Sequence, residues 1–146
     1  MIREFKPRDF KKILQIEKTS FRDPWSKWEF LYHCRHSNFL VYEVDGEVVG
    51  YIISNSNGHI SNIAVDPEYR RNKIGTKLVQ EIVGKTKNAL VEVRKSNKVA
   101  QEFYKSLRFR EMYFIPRYYG NEDALVMALS NFDKNNKKSN YKHRKD

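Results

Sequence analysis

The hydrophobic positions of the chain change period several times, and those changes outline its elements. Residues 2–5 predict a short first strand. Phe10, Ile13 and Leu14, with Phe21 extending the same face, then recur at helical spacing. Pro7 suits the first turn of that helix, and Asp9 lies near its positive end. Ser26-x-x-Glu29 reads as a capping box opening a second helix that carries Trp28, Phe30, Leu31 and Cys34. From Phe39 the period shortens to two. Residues 39–44, an Asp45-Gly46 turn and residues 48–54 predict a β-hairpin, and after Asn57-Gly58 residues 59–65 add a third strand. Asp66-Pro67 ends that strand, because proline fixes φ and donates no backbone N–H. Ile74, Leu78, Val79, Ile82 and Val83 return at helical spacing, with Gly84 as the expected stop. Residues 89–93 form a short β-branched strand. Ser96 or Asn97 caps a fourth helix with Ala100, Phe103, Tyr104 and Leu107 on one side. Residues 109–115 and 124–129 complete the pattern as two strands. The order β-α-α-β-β-β-α-β-α-β-β predicts a mixed α/β domain whose first half is largely antiparallel.

Length and charge narrow this further. A chain of 146 residues is long enough to bury one core, and no internal repeat divides it. Residues 1–130 are expected to form the domain. Residues 131–146 are a basic tail with too little apolar content to pack. The net charge of +10 points to an anionic partner, whether nucleic acid, ribosome or phosphorylated cofactor. The stretch 133–146 holds six Lys/Arg against two Asp, so most of the excess lies in the body of the chain. A single cysteine, Cys34, excludes an intrachain disulfide framework and fits a reducing cytoplasm. Residues 1–6 carry no hydrophobic signal region and no apolar run approaches membrane-spanning length, which predicts a soluble intracellular protein with no membrane partner.

The stretch 60–79 concentrates the candidate chemistry. An apolar strand ending in Ile63, Ala64 and Val65 runs into the basic turn Arg70-Arg71-Asn72-Lys73 and then a helix start at Ile74-Gly75-Thr76. First-turn N–H groups of a helix have no intrahelical partners and sit at the positive dipole end, so such a junction suits a phosphate. An ordinary strand-to-helix connection with exposed arginines fits the same residues equally well. Glu92 alternates with Val91 and Val93, so it faces away from them and only one face of that strand is core. Solvation alone would account for it.

The run Asn62-Ile63-Ala64-Val65-Asp66-Pro67-Glu68-Tyr69-Arg70-Arg71, followed by Ile74-Gly75, resembles the acetyl-CoA motif of the GNAT N-acetyltransferase superfamily. Two further runs are similar to the subgroup acting on protein N-termini: Val91-Glu92-Val93-Arg94-Lys95-Ser96-Asn97 with Phe103-Tyr104, and Arg117-Tyr118-Tyr119 with Glu122-Asp123-Ala124. The three occur in order, and the similarity as a whole covers roughly residues 1–130.

The resemblance implies a GNAT fold, a mostly antiparallel mixed sheet flanked by helices, and acetyl-CoA as cosubstrate with no metal. It implies that the backbone of Ile63, Ala64 and Val65 takes the pantetheine arm as an added strand. The segment Arg70, Arg71, Asn72, Lys73, Ile74, Gly75 and Thr76 would wrap the pyrophosphate, and Asn97 would also touch the cofactor. Glu92 becomes the general base and Tyr104 the general acid for the departing sulfur, beside the cofactor. His59 matches a proton-relaying histidine of some relatives, although a lone strand histidine is also a common structural residue. Trp25, Tyr118 and Tyr119 would wall the acceptor site. The glutamate that other relatives place between the first two helices has no direct match in Phe21-Arg22-Asp23-Pro24-Trp25. Lys73 and Arg108 stand where the family pattern has glycine.

The expected activity is transfer of acetyl to the N-terminal α-amine of proteins, including ribosomal ones, in the cytoplasm. Acetylation of a small amine or lysine, or a basic RNA- or ribosome-binding module without catalysis, are the alternatives. No specific DNA contact is implied.

Overall fold

The computed structural model describes residues 1–130; the predicted tail lies outside the described residues. The element order is the one read from the sequence: β1 (Ile2–Glu4), α1 (Phe10–Ser20), α2 (Lys27–His36), β2 (Asn38–Val44), β3 (Glu47–Ser54), β4 (Ile60–Val65), α3 (Ile74–Thr86), β5 (Asn88–Arg94), α4 (Lys98–Ser106), β6 (Arg110–Ile115) and β7 (Ala124–Ser130). Single 3₁₀ turns precede α1 and follow β4.

The strands form two antiparallel sheets, β1-β2-β3-β4 and β5-β7-β6. Period-two patterning fixes their registers, with Leu40 opposite Ile52 and Val91 opposite Met127. Backbone pairing joins the sheets at the start of β4 and β5. Leu90 N–H donates to Gly58 O at 2.9 Å, and His59 and Leu90 form an isolated parallel bridge. Gly58 makes that junction possible: its φ is +85°, and a Cβ there would lie 1.8 Å from Asn88 O. Beyond the bridge β4 and β5 are no longer paired, and a cleft opens between them.

Two cores flank the first sheet. Leu78, Val79 and Ile82 of α3 pack with Ile52, Val91, Tyr104 and Met127. On the other face Ile13, Ile16 and Phe30 pack with Phe39, Val41, Tyr51 and Ile53. Fully burying each such side chain is worth about 1.5–3 kcal/mol, so both helical layers are firmly seated.

Local chemistry accounts for most boundaries. Ser26 and Glu29 form the capping box of α2, and Asn97 Oδ1 accepts from Ala100 N–H to cap α4. Asp9 does more than complement a dipole: it accepts from Lys6 N–H at 2.7 Å and takes both arms of the Arg3 guanidinium at 2.9 Å.

Two expectations are corrected. Gly84 does not stop α3, which runs on to Thr86 and ends at Lys87, with φ +69°. Gly84 has open space around it, so it is simply an exposed helix position. Phe21 does not extend the α1 face; it lies beyond the helix and is exposed, and Glu17 occupies the buried position instead. Trp28 is 78% exposed on α2 while Phe30 is buried, because only one stripe of that helix meets the sheet.

Candidate active site

The cleft between β4 and β5 has a volume of about 700 Å³. Ile60 to Ile63 line one side and Val91 to Arg94 the other; α1, its following loop, α4 and the β6–β7 loop complete it. The geometry follows from register. Alternation along β5 buries Val91 and Val93 in the core, so Glu92 turns toward the cleft with 14% of its side chain exposed.

Glu92 is not merely solvated. His59 Nε2 lies 2.8 Å from both of its carboxyl oxygens, and Tyr118 Oη donates to Oε1 at 3.4 Å. A carboxylate only accepts, so Nε2 carries the proton of that contact. The Glu92 carboxylate lifts the His59 imidazole above its usual range, against the partial burial that lowers it. His59 thus reaches the site through the junction that joins the two sheets.

Tyr104 comes from the buried side of α4 and is 4% exposed, with its ring against Phe103 and Phe109. Burial, with Tyr119 nearby, pushes its hydroxyl well above the ordinary tyrosine range. It therefore remains protonated at neutral pH and can donate. Tyr118 and Tyr119 meet edge to face at 4.9 Å. Burial foremost, together with neighbouring Tyr118 and Glu92, pushes Tyr119 up to about 12. Their loop is tied down by Glu122, which accepts from Ser96 N–H at 2.6 Å and pairs with Arg94 at 3.3 Å. The Arg94 guanidinium in turn lies 4.2 Å over the Tyr119 ring. Opposite, Trp25 stacks on His33 at 4.6 Å and meets Phe30 edge-on.

The cleft therefore brings together Glu92, Tyr104, Trp25, Tyr118, Tyr119, Ile63 and Asn97, with His59 behind Glu92. Other predicted residues lie apart. Ala64 is buried toward α1, and the Ile74 side chain is in the core, so each offers only backbone. Arg70, Arg71, Asn72, Lys73, Gly75 and Thr76 stand beyond the end of β4, at the start of α3. Arg70 is braced by its Nε to Val65 O at 3.1 Å, and Asn72 Nδ2 donates to Tyr69 O. Asn97 Oδ1 is engaged in its cap. Lys73 adopts φ +60° and Arg71 +67°, and Arg108 adopts +73°, so both non-glycine departures do occupy left-handed positions.

Sequence reasoning missed Glu17, Asn62 and the Glu122–Arg94 bracket. Asn62 and Glu122 sit inside the quoted runs without a role. Glu17 follows Phe10, Ile13 and Leu14 at core spacing, and a glutamate there was the available signal.

A family-level sequence profile described as "Acetyltransferase (GNAT) family" matches residues 9–109. The chain belongs to the GNAT acetyltransferase family. An N-alpha-acetyltransferase of Sulfurisphaera tokodaii is 35% identical over 87% of this chain and 90% of its own length. The crystal structure of the ribosomal-protein-S18-alanine N-acetyltransferase from Escherichia coli superposes with a TM-score of 0.81 at 27% identity, covering 89% of this chain and 92% of that one. Ard1 from Thermoplasma volcanium gives 0.81 at 30% identity, covering 89% and 96%. The GNAT fold inferred from the motifs is thus the fold observed.

The residues present fit the acetyl-CoA that GNAT enzymes use. The outer edge of β4 is unpaired beyond the bridge, leaving the Ile63 backbone groups and the Val65 N–H for an extended ligand arm, while Val65 O accepts from Arg70. It leads to the first turn of α3, where Arg71, Lys73 and the helix N–H groups offer positive charge to phosphate. Among the described residues no group of His, Cys, Asp or Glu could hold a metal ion, and no helix is long and apolar enough to cross a membrane.

Proposed function

We propose that this GNAT chain is an N-α-acetyltransferase that moves acetyl from acetyl-CoA to the N-terminal amine of proteins, by direct attack within a ternary complex. The observation that carries this is Glu92, held by His59 and faced by Tyr118 in the cleft between β4 and β5. The names of the relatives in Sulfurisphaera tokodaii and Escherichia coli support the acceptor class.

Bound acetyl-CoA supplies an activated thioester acyl group. Glu92 takes the proton that the attacking amine releases, and His59 holds its carboxylate in place through Nε2–H. As the new C–N bond forms and the C–S bond breaks, Tyr104 Oη gives its proton to the departing sulfur and regains one from solvent. Tyr118, Tyr119 and Trp25 hold the first residues of the acceptor. An α-amine with a pKa of about 8 needs far less help than a lysine at about 10.4, a difference of about 3 kcal/mol, so one carboxylate suffices. Cys34 lies on α2 with its thiol pushed up by burial and away from the cleft, so no acyl-enzyme is required.

The single cysteine supports a reducing cytoplasm as the setting. The basic stretch after Asp133 would bring the enzyme to ribosomal acceptors, and removing it should spare turnover on short peptides. The test is a peptide-library assay with varied first and second residues, read by mass spectrometry. Acetylation at the α-amine is the expected result; acetylation confined to lysine side chains or small amines would overturn it.

A further inference from the structure

Glu17 is 2% exposed, on the core-facing stripe of α1 beside Ile13 and Ile16. An apolar residue would pack there without desolvating a carboxyl group, so its presence requires an explanation. Three donors converge on it from three elements. Tyr51 Oη of β3 and Asn62 Nδ2 of β4 both donate to Oε1, the latter at 2.8 Å, and Trp25 N–H donates to Oε2 at 2.8 Å. Burial and Glu17 itself push the Tyr51 hydroxyl upward, which keeps it a donor. Only a carboxyl group can accept all three from one point.

We propose that Glu17 is the positioning residue of the acceptor site. It pins the Phe21–Trp25 connection to the strand along which the cofactor arm is expected to lie. The Trp25 side chain is fixed by His33 and Phe30, but those contacts belong to α2 and could move with it. Glu17 ties the Trp25 backbone to β3 and β4 instead. Asn62 precedes Ile63 directly, so the acceptor wall is tied beside the cofactor edge, which its own pairing with β3 holds independently. The inference rests on reading the cleft as the acceptor site.

The test is steady-state kinetics with the full chain, varying peptide and acetyl-CoA separately, for Glu17→Met, Glu17→Asp and Glu17→Gln. Met leaves three donors unpaired, and Asp is too short to span them. In both, the peptide KM should rise about tenfold or more while kcat and the acetyl-CoA KM stay within about twofold. Gln keeps an oxygen for Trp25 N–H, with the Asn62 amide and Tyr51 hydroxyl reoriented to accept, and should return the peptide KM to within about threefold. A fall in kcat alone, a parallel shift of all three parameters, or a Gln variant as impaired as Met would overturn the proposal. Hydrogen exchange at the Trp25 amide of the unaltered protein decides the matter if neither Met nor Asp folds. Protection of about a hundredfold over the free-peptide rate is expected, and none would overturn it. A wild-type protein that acetylates no peptide N-terminus refutes the functional reading instead, and leaves the exchange result to judge the anchor.

Discussion

Replacing Glu92 by Gln removes one charge and almost nothing else. The amide keeps the shape of a side chain that is mostly enclosed, can still accept from His59 Nε2, and leaves the core residues Val91 and Val93 undisturbed. A positioned general base contributes about 10²–10⁴ in rate, which is about 3–5 kcal/mol of barrier at 1.36 kcal/mol per decade. The kcat on a good peptide should therefore fall by about that factor, with the acetyl-CoA KM within about twofold because Glu92 lies on β5, not on the β4 edge. The pH dependence sharpens the test. An α-amine of pKa about 8 is about 9% free base at pH 7 and about 91% at pH 9, so solvent supplies at high pH what Glu92 supplies at neutrality. The gap between wild type and variant should narrow about tenfold over that range. Initial rates by thiol release, from pH 6.5 to 9.5, measure it. A variant within twofold of wild type at pH 7 would show that Glu92 is not the base.

The remaining predictions concern the frame. Gly58→Ala forces a left-handed φ on alanine and drives its Cβ into Asn88 O, so it should cost about 2–4 kcal/mol in urea unfolding; a neutral effect would mean the sheets are not joined there. Lys73→Gly relieves a φ of +60°, which should raise stability by about 1 kcal/mol and Tm by about 3–5 °C. Acetyl-CoA affinity should fall several-fold in that variant, because the ammonium is gone; an unchanged Kd by calorimetry would remove Lys73 from the phosphate site. The His59–Glu92 pair adds stability that is fully present below the ordinary histidine value near 6.5 and disappears as pH rises through the raised folded value. Glu92→Gln should thus destabilise more at pH 6 than at pH 9, and the reverse order in thermal melts would refute the pairing.

Most of the frame was legible because the patterning is local. Alternation from Phe39 onward fixed the strands, and Ser26–Glu29 announced α2 from side chains that bond their own backbone. The end of α3 was misplaced for a physical reason. Glycine is the usual left-handed stop, yet Lys87 adopts that conformation while Gly84 stays helical, because the last turn closes beyond it: Lys87 N–H donates to Val83 O and Thr86 Oγ1 to Ile82 O, each at 2.8 Å. The hydrogen bonds of that last turn offset a glycine's helical cost of about 1 kcal/mol. The splitting of the sheet between β4 and β5 had no sequence signal beyond Asn57-Gly58, since it depends on what the strands do not pair with.

The site divides along the same line. Glu92, Tyr104 and the tyrosine pair could be found because each lies in a contiguous run that resembles the family's; alternation gave Glu92 its direction, whereas Tyr118 and Tyr119 lie in the β6–β7 loop. Contacts that cross elements could not. His59 and Glu92 are 33 residues apart, and Glu17 reaches Asn62 across 45. For His59 the sequence offered a relay or a structural role, and the β4–β5 bridge sets its ring beside β5, against Glu92. For Glu17 the sequence held a usable anomaly, a carboxyl group at a position whose spacing demanded an apolar residue. Such a residue is costly unless donors meet it, and here they come from the loop and strands that bound the cleft. On the proposed reading, the base on β5 and the acceptor wall on the α1–α2 loop are held by separate polar anchors. Damage to one should show in kcat and damage to the other in the peptide KM, a division of labour that the Glu92 and Glu17 variants together can test.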